Sequence, residues 1–157
     1  IMCESMSSIF EGRNASRVAK EFSERVWLSW TNRGHQPDQL PSTEALSKAV
    51  DFSIEADVEC TLINCSHADM ASNSIKELKR ASRFGIFANS STFKEVDLSI
   101  ATKDVDAIHH LNSEKISAKE YAMIALSWVK EGAFVVGGCC GTTVEHTREI
   151  KLLMDSL

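Results

Sequence analysis

Three cysteines of this chain are placed where they could do chemistry. Cys139 and Cys140 are adjacent within Val135-Val136-Gly137-Gly138-Cys139-Cys140-Gly141-Thr142-Thr143, and Cys65 follows directly on the run 59–64 (ECTLIN). An apolar run enters the double cysteine and a helix-starting signal leaves it, so these thiols sit at a strand end on a backbone thinned by three glycines. Three protein thiolates leave one position of a tetrahedral zinc open, as a catalytic rather than a structural site requires. Such an ion takes up an incoming thiol, lowers its pKa and keeps it a thiolate able to attack an electrophilic carbon. The residue types alone leave other readings open. Adjacent cysteines are not the usual metal-binding pair separated by two residues, and cysteine is commonly a small buried side chain. A redox pair at Cys139-Cys140 would form a strained vicinal disulfide. A phosphate cradle at the same turn would lack the lysine of a P-loop.

The other polar groups have two readings each. Glu4 could hold an amino group or be a solvated loop carboxylate, and Asn89 could bind a ligand or close a turn. Ser29 and Thr31 close the run 25–31 (RVWLSWT). His67 could substitute as a metal ligand, but a surface histidine is the plainer reading. Cys3 and Cys60 read as core residues, and Tyr121 and Trp128 as helix packing. His109-His110 lies in the segment 92–117, whose weak periodicity assigns no element.

Five short runs rich in β-formers must position these groups: 1–3, 25–31, 59–64, 84–88 and 133–136. Amphipathic stretches alternate with them. Val18, Ala19 and Phe22 mark a helix over 12–23; Leu46, Val50 and Ile54 mark one over 42–55. Ile75 and Leu78 mark a helix over 69–82, and Tyr121, Ile124, Ala125, Trp128 and Val129 one over 118–131 that Gly132 stops. The last helix opens at Thr142-Thr143-Val144-Glu145 and turns Ile150, Leu153 and Met154 inward. The loop 32–42 holds both prolines and is long for a connector. Alternation of this kind predicts an α/β fold with a parallel sheet, in which ligands bind at the C-terminal ends of the strands. Glu4, Ser29, Thr31, Cys65, Asn89, Cys139 and Cys140 all fall there. A TIM (β/α)8 barrel takes roughly 250 residues, so a chain of this length holds about five βα units of one.

With 157 residues the expectation is a single domain spanning 1–157. A net charge of -5 without a basic cluster argues against nucleic acid as a partner, and no apolar run is long enough to span a membrane. Five cysteines, an odd number without a secretory signal, point to reduced thiols and a cytoplasmic location. The first residues already read as the end of a buried strand, so an N-terminally truncated barrel is expected.

The stretch from Gly137 to His146 (GGCCGTTVEH) resembles the signature of the zinc-dependent homocysteine S-methyltransferases. Ile63-Asn64-Cys65 is similar to that family's other zinc-ligand segment, and Glu120-Tyr121 with the stretch from Trp128 to Ala133 (WVKEGA) to the helix leading into the double cysteine. The likeness extends to Cys3-Glu4-Ser5 and to the stretch from Trp27 to Thr31 (WLSWT). It implies a (β/α)8 barrel, here from its fourth strand to its eighth, with Cys65, Cys139 and Cys140 as zinc ligands. A homocysteine thiolate would complete the tetrahedron and accept a methyl group to give methionine. Glu4, Ser29 and Asn89 are the substrate-binding candidates, and no catalytic residue beyond the metal site is implied. The methyl donor is left open among betaine, S-methylmethionine, S-adenosylmethionine, a sulfonium such as dimethylsulfoniopropionate, and a folate or cobalamin carrier. The chain departs from the family pattern at Val144 and Ala88, where proline is common, and at Ser66-His67-Ala68. A contrasting expectation is an inactive partial barrel that forms homo-oligomers through its open edges.

Overall fold

The computed structural model describes residues 1–34, 36–93 and 113–156. His109 and His110 lie outside the described residues. Five strands form one parallel sheet: β1 (Met2–Met6), β2 (Trp27–Trp30), β3 (Cys60–His67), β4 (Phe84–Asn89) and β7 (Val135–Gly138), in the order β1-β2-β3-β4-β7. Between β4 and β7 a small antiparallel pair stands apart, β5 (Ser91–Phe93) with β6 (Ser113–Lys115). The helices are α1 (Ile9–Phe22), α2 (Leu46–Glu55), α3 (Ala68–Asn73), α4 (Ile75–Leu78), α5 (Ala118–Lys130) and α6 (Val144–Met154). Each strand of the large sheet lies beside its predecessor in sequence, with registers such as Leu28 on Thr61, Ile63 on Ile86 and Ile86 on Val136. β1 and β7 form the sheet's two margins.

Local chemistry sets the helix ends. Ser8 caps α1 by accepting the Glu11 N–H at 3.1 Å, and Ser117 with Glu120 forms a full capping box on α5. At the other end of α5, Gly132 takes φ +99; its N–H reaches the Val129 carbonyl and that of Ala133 reaches the Trp128 carbonyl, a Schellman motif. The core between sheet and helices includes Val26, Leu28, Trp30, Leu46, Val50, Ile63, Leu78, Ile86, Tyr121 and Trp128, all fully enclosed.

Trp30 decides several details that periodicity misassigns. Val18 and Phe22, expected on the inner face of α1, are 44% and 77% exposed. The inward face is Gly12, Ser16 and Ala19, because the Trp30 ring fills the space: a Cβ on Gly12 would lie 2.4 Å from its Cη2. In α2 the expected inward Ile54 is 48% exposed, whereas Ser53 is enclosed and accepts the Trp30 indole N–H at 3.0 Å. α2 also starts at Leu46 rather than 42. Its foreseen N-terminal residues are engaged elsewhere, with Thr43 at φ +73 and the Glu44 carboxylate accepting the Ile9 N–H at 2.8 Å. The single helix foreseen over 69–82 is two short ones meeting at Ser74, which is drawn toward the 32–42 loop by Asn32 Nδ2 at 3.1 Å.

Both β1 and β3 run further than expected, to Met6 and His67. Each carries a register irregularity near its C-terminal end, with Ser5 at φ 60 and Cys65 at φ 52. These left-handed residues are rare outside glycine and concentrate at functional places.

Candidate metal centre

Asn64 joins the two irregularities. It is 2% exposed, and its Oδ1 accepts the Ser5 N–H at 3.0 Å and the Ser29 hydroxyl at 2.6 Å, while its Nδ2 donates to Ser5 Oγ at 2.9 Å. A buried carboxamide with both its oxygen and its nitrogen engaged is a rigid post. It immediately precedes Cys65, so it anchors the strand at the point where Cys65 turns left-handed and the register shifts.

Cys139 and Cys140 leave the end of β7 against the end of β4. The Cys139 N–H donates to the Ala88 carbonyl at 2.8 Å, the Cys140 N–H to Asn89 Oδ1 at 3.1 Å, and the Ser90 N–H to the Cys140 carbonyl at 3.0 Å. Thr142 Oγ1 closes the turn by donating to the Cys139 carbonyl at 2.7 Å. Gly138 is required by this fold-back, since a Cβ there would meet Thr142 Oγ1 at 2.4 Å. Behind the loop, the enclosed Tyr121 hydroxyl lies 2.8 Å from the Ala88 carbonyl and 2.7 Å from that of Gly137, bridging the ends of β4 and β7. Burial pushes its pKa up, which keeps the phenol protonated and donating.

The three thiols converge. Their Sγ atoms all lie within 4.8 Å of one another, and Cys65 Sγ stands 3.5 Å from Cys140 Sγ. Ligands about 2.3 Å from a tetrahedral zinc would be roughly 3.8 Å apart, so this donor set fits such an ion with small adjustments. Cys65 and Cys139 are half-buried and Cys140 is exposed, so the cluster is open on one side. Burial, the hydrogen bond with Cys140 and the charge of Cys139 push the Cys65 thiol up to about 12. Burial also raises Cys139, partly offset by a hydrogen bond with Cys65. Crowded thiolates that resist ionisation singly are stabilised together by a divalent cation, which inverts the local electrostatics.

The remaining candidates are placed as follows. Glu4 lies within β1, not in a loop after it, and is exposed. Ser29 is fully enclosed, with its hydroxyl committed to Asn64. Asn89 has its Oδ1 on the Cys140 amide. Thr31 Oγ1 lies 3.4 Å from the Cys65 carbonyl. His67 is not a surface residue: it is 9% exposed, with Nδ1 2.9 Å from Ser91 Oγ and its ring edge-on to Phe93. Cys60 is enclosed, its thiol pushed up to about 12 by burial, and Cys3 is partly buried.

Sequence reading missed Asn64, Ser5 and the true cap of α6. Thr143, not Thr142, is the N-cap, and His146 takes the place that glutamate or glutamine holds in an ordinary capping box, its Nδ1 accepting the Thr143 N–H at 3.1 Å. The available signal was a polar Asn inside an apolar run directly before the cysteine.

A family model described as homocysteine S-methyltransferase matches residues 1–154. The homocysteine S-methyltransferase YbgG of Bacillus subtilis (strain 168) is 26% identical over 160 residues, covering 100% of this chain and 47% of that protein. The apo form of the homocysteine methyltransferase MmuM from Escherichia coli superposes with a TM-score of 0.67 at 19% identity, over 96% of this chain and 48% of that one. Its metallated form gives 0.68 at 18% identity, over 97% and 44%. These structural likenesses concern the fold. The chain spans about half the length of the relatives it matches.

Proposed function

The chain belongs to the homocysteine S-methyltransferase family, and from that premise we propose that it supplies the thiol-binding metal centre of an enzyme that methylates homocysteine to methionine. Its five βα units would be the fourth to eighth of a (β/α)8 barrel, a reading supported by the sequential parallel sheet and the share of the relatives it spans. The observation that carries the proposal is the convergence of Cys65, Cys139 and Cys140 at the C-terminal ends of β3 and β7. Zinc held there would supply an open fourth position for a substrate thiol and lower that thiol's pKa.

The chain's own residues do the rest. Asn64 orients Cys65, and the end of β4 orients Cys139 and Cys140. Glu4, exposed one residue before the Ser5 turn, is the group to receive the substrate's ammonium. Ser29 supports it indirectly, by locking Asn64 to the same turn. The open side of the cluster at Cys140 is where a methyl donor would approach the sulfur in line.

Metal analysis of protein purified without chelator under reducing conditions tests this reading. Roughly one zinc per chain, lost in Cys140→Ser, supports the tetrahedral set; a metal-free wild type or a fully loaded Cys140→Ser sinks it. Among the described residues no strand pairs with the outer side of β1 or β7, and open margins of this kind favour self-association of the isolated chain. Sedimentation over a concentration series checks this, and a monomer throughout would count against it.

A further inference from the structure

We propose that Asn89 is a positioning residue for the thiol cluster, its side-chain carbonyl setting the direction in which Cys140 presents its sulfur. The role deepens the metal reading above and replaces a substrate contact as the use of this side chain. Three consecutive residues at the end of β4 grip the double cysteine. Ala88 takes the Cys139 N–H through its backbone carbonyl, Asn89 takes the Cys140 N–H through its side chain at 3.1 Å, and Ser90 gives its N–H to the Cys140 carbonyl at 3.0 Å. The Cys140 peptide is therefore held on both sides, and among these bonds the one from Asn89 alone uses a side chain.

Packing cannot supply the same restraint. Cys140 is exposed and is followed by Gly141, so apolar neighbours do not fix its orientation as they fix the residues of β4. A hydrogen bond from a residue anchored in the sheet is the remaining means. Asn89 is so anchored: it is the last residue of β4, in register with His67 beyond the irregularity that carries Cys65. One side chain at that position thus relates the Cys140 segment to the strand end from which Cys65 projects. Outer groups that orient metal ligands in this way typically govern about 10–100-fold in affinity.

Two measurements on Asn89→Ala and Asn89→Asp test the proposal. The first is zinc affinity by chelator competition. The second is hydrogen exchange of the Cys140 amide in the metal-free protein, followed by NMR. Asn89→Ala should weaken zinc binding by about tenfold or more and accelerate Cys140 exchange, while the amides of β3 keep their protection. Asn89→Asp retains an acceptor and should stay near wild type in both. Wild-type Cys140 exchange in metal-free Asn89→Ala overturns the proposal, as does an Asn89→Asp that loses as much as Asn89→Ala. A wild-type chain that takes up no zinc removes the metal reading instead, and the exchange comparison then decides the positioning role by itself. If Asn89→Ala does not fold, Asn89→Ser, too short to reach the amide, takes its place in both measurements.

Discussion

Cys65 Sγ and Cys140 Sγ stand 3.5 Å apart across 75 positions of sequence. Neither is on a neighbouring strand of the other: β4 runs between β3 and β7, and the two thiols meet above its end. Cys65 gets there by a left-handed turn and Cys140 by a fold-back after β7. Each detour is held by an asparagine side chain.

Removing a thiol of the cluster should therefore not be equivalent to loosening its support. Cys65→Ser and Cys139→Ser are expected to reduce zinc affinity by more than the ~10–100-fold typical of supporting residues, with little change in the stability of the metal-free protein. Chelator competition and thermal unfolding, run side by side, check this. Equal loss of metal affinity and of metal-free stability would mean that the cysteines are core residues.

Asn64→Ala should destabilise the metal-free chain. It strands the Ser5 N–H and the hydroxyls of Ser5 and Ser29 in a largely enclosed place, and buried groups left without partners cost about 1–3 kcal/mol. Denaturant unfolding in the presence of chelator measures it. Wild-type stability there would show that the Ser5 turn is held by something else.

Gly12→Ala sets two opposed effects against each other. Helix propensity favours alanine by about 1 kcal/mol, but the new Cβ would meet the Trp30 ring at 2.4 Å and 2.7 Å, and overpacking of this kind costs about 1–3 kcal/mol. The clash should win, because the ring is enclosed and pinned by Ser53. A lower midpoint of unfolding is the expected result; a higher one would mean that the indole can shift.

The pH dependence of stability should have a component at Glu59. Arg25 and Trp27 hydrogen-bond its carboxylate and hold it below the ordinary value of 4.5. A depressed carboxyl contributes stability above its unfolded pKa and loses it as pH falls through the folded one. The difference between wild type and Glu59→Gln should thus be full at neutral pH and shrink on acidification below about 4.5. A difference independent of pH would assign it to packing instead.

Much of this fold is legible in the sequence because β-rich runs and helical periodicity alternate cleanly. The order of the five strands of the large sheet and the burial of Tyr121, Ala125 and Trp128 in α5 follow from that alone. The misassigned helix faces trace to Trp30: a single indole turns small residues of α1 and Ser53 of α2 inward, against the hydrophobic pattern, and no local window registers a ring arriving from β2. The extensions of β1 and β3 were hidden for a related reason. Left-handed Ser5 and Cys65 carry no glycine to mark them, and their stability comes from Asn64, whose bonds exist only after two strands have met. Of the candidate site, the strand-end placement of the three cysteines could be read from the sequence, while their grouping as one ligand set was implied by the family resemblance. The supporting roles of Asn89 and Tyr121 could not, since their partners are a backbone N–H and two backbone carbonyls, which leave no trace in side-chain identity.

The sequential strand order also has a temporal meaning. A sheet in which every strand joins the one made before it can be assembled in the direction of translation, each unit docking on a finished surface. Cys140 would then emerge 75 positions after Cys65, a wait of about 4–15 s at ribosomal speeds of ~5–20 residues per second. During that interval Cys65 lacks the other two thiols, so the cluster is completed only when β7 arrives. Its appearance would mark the docking of β7 on β4.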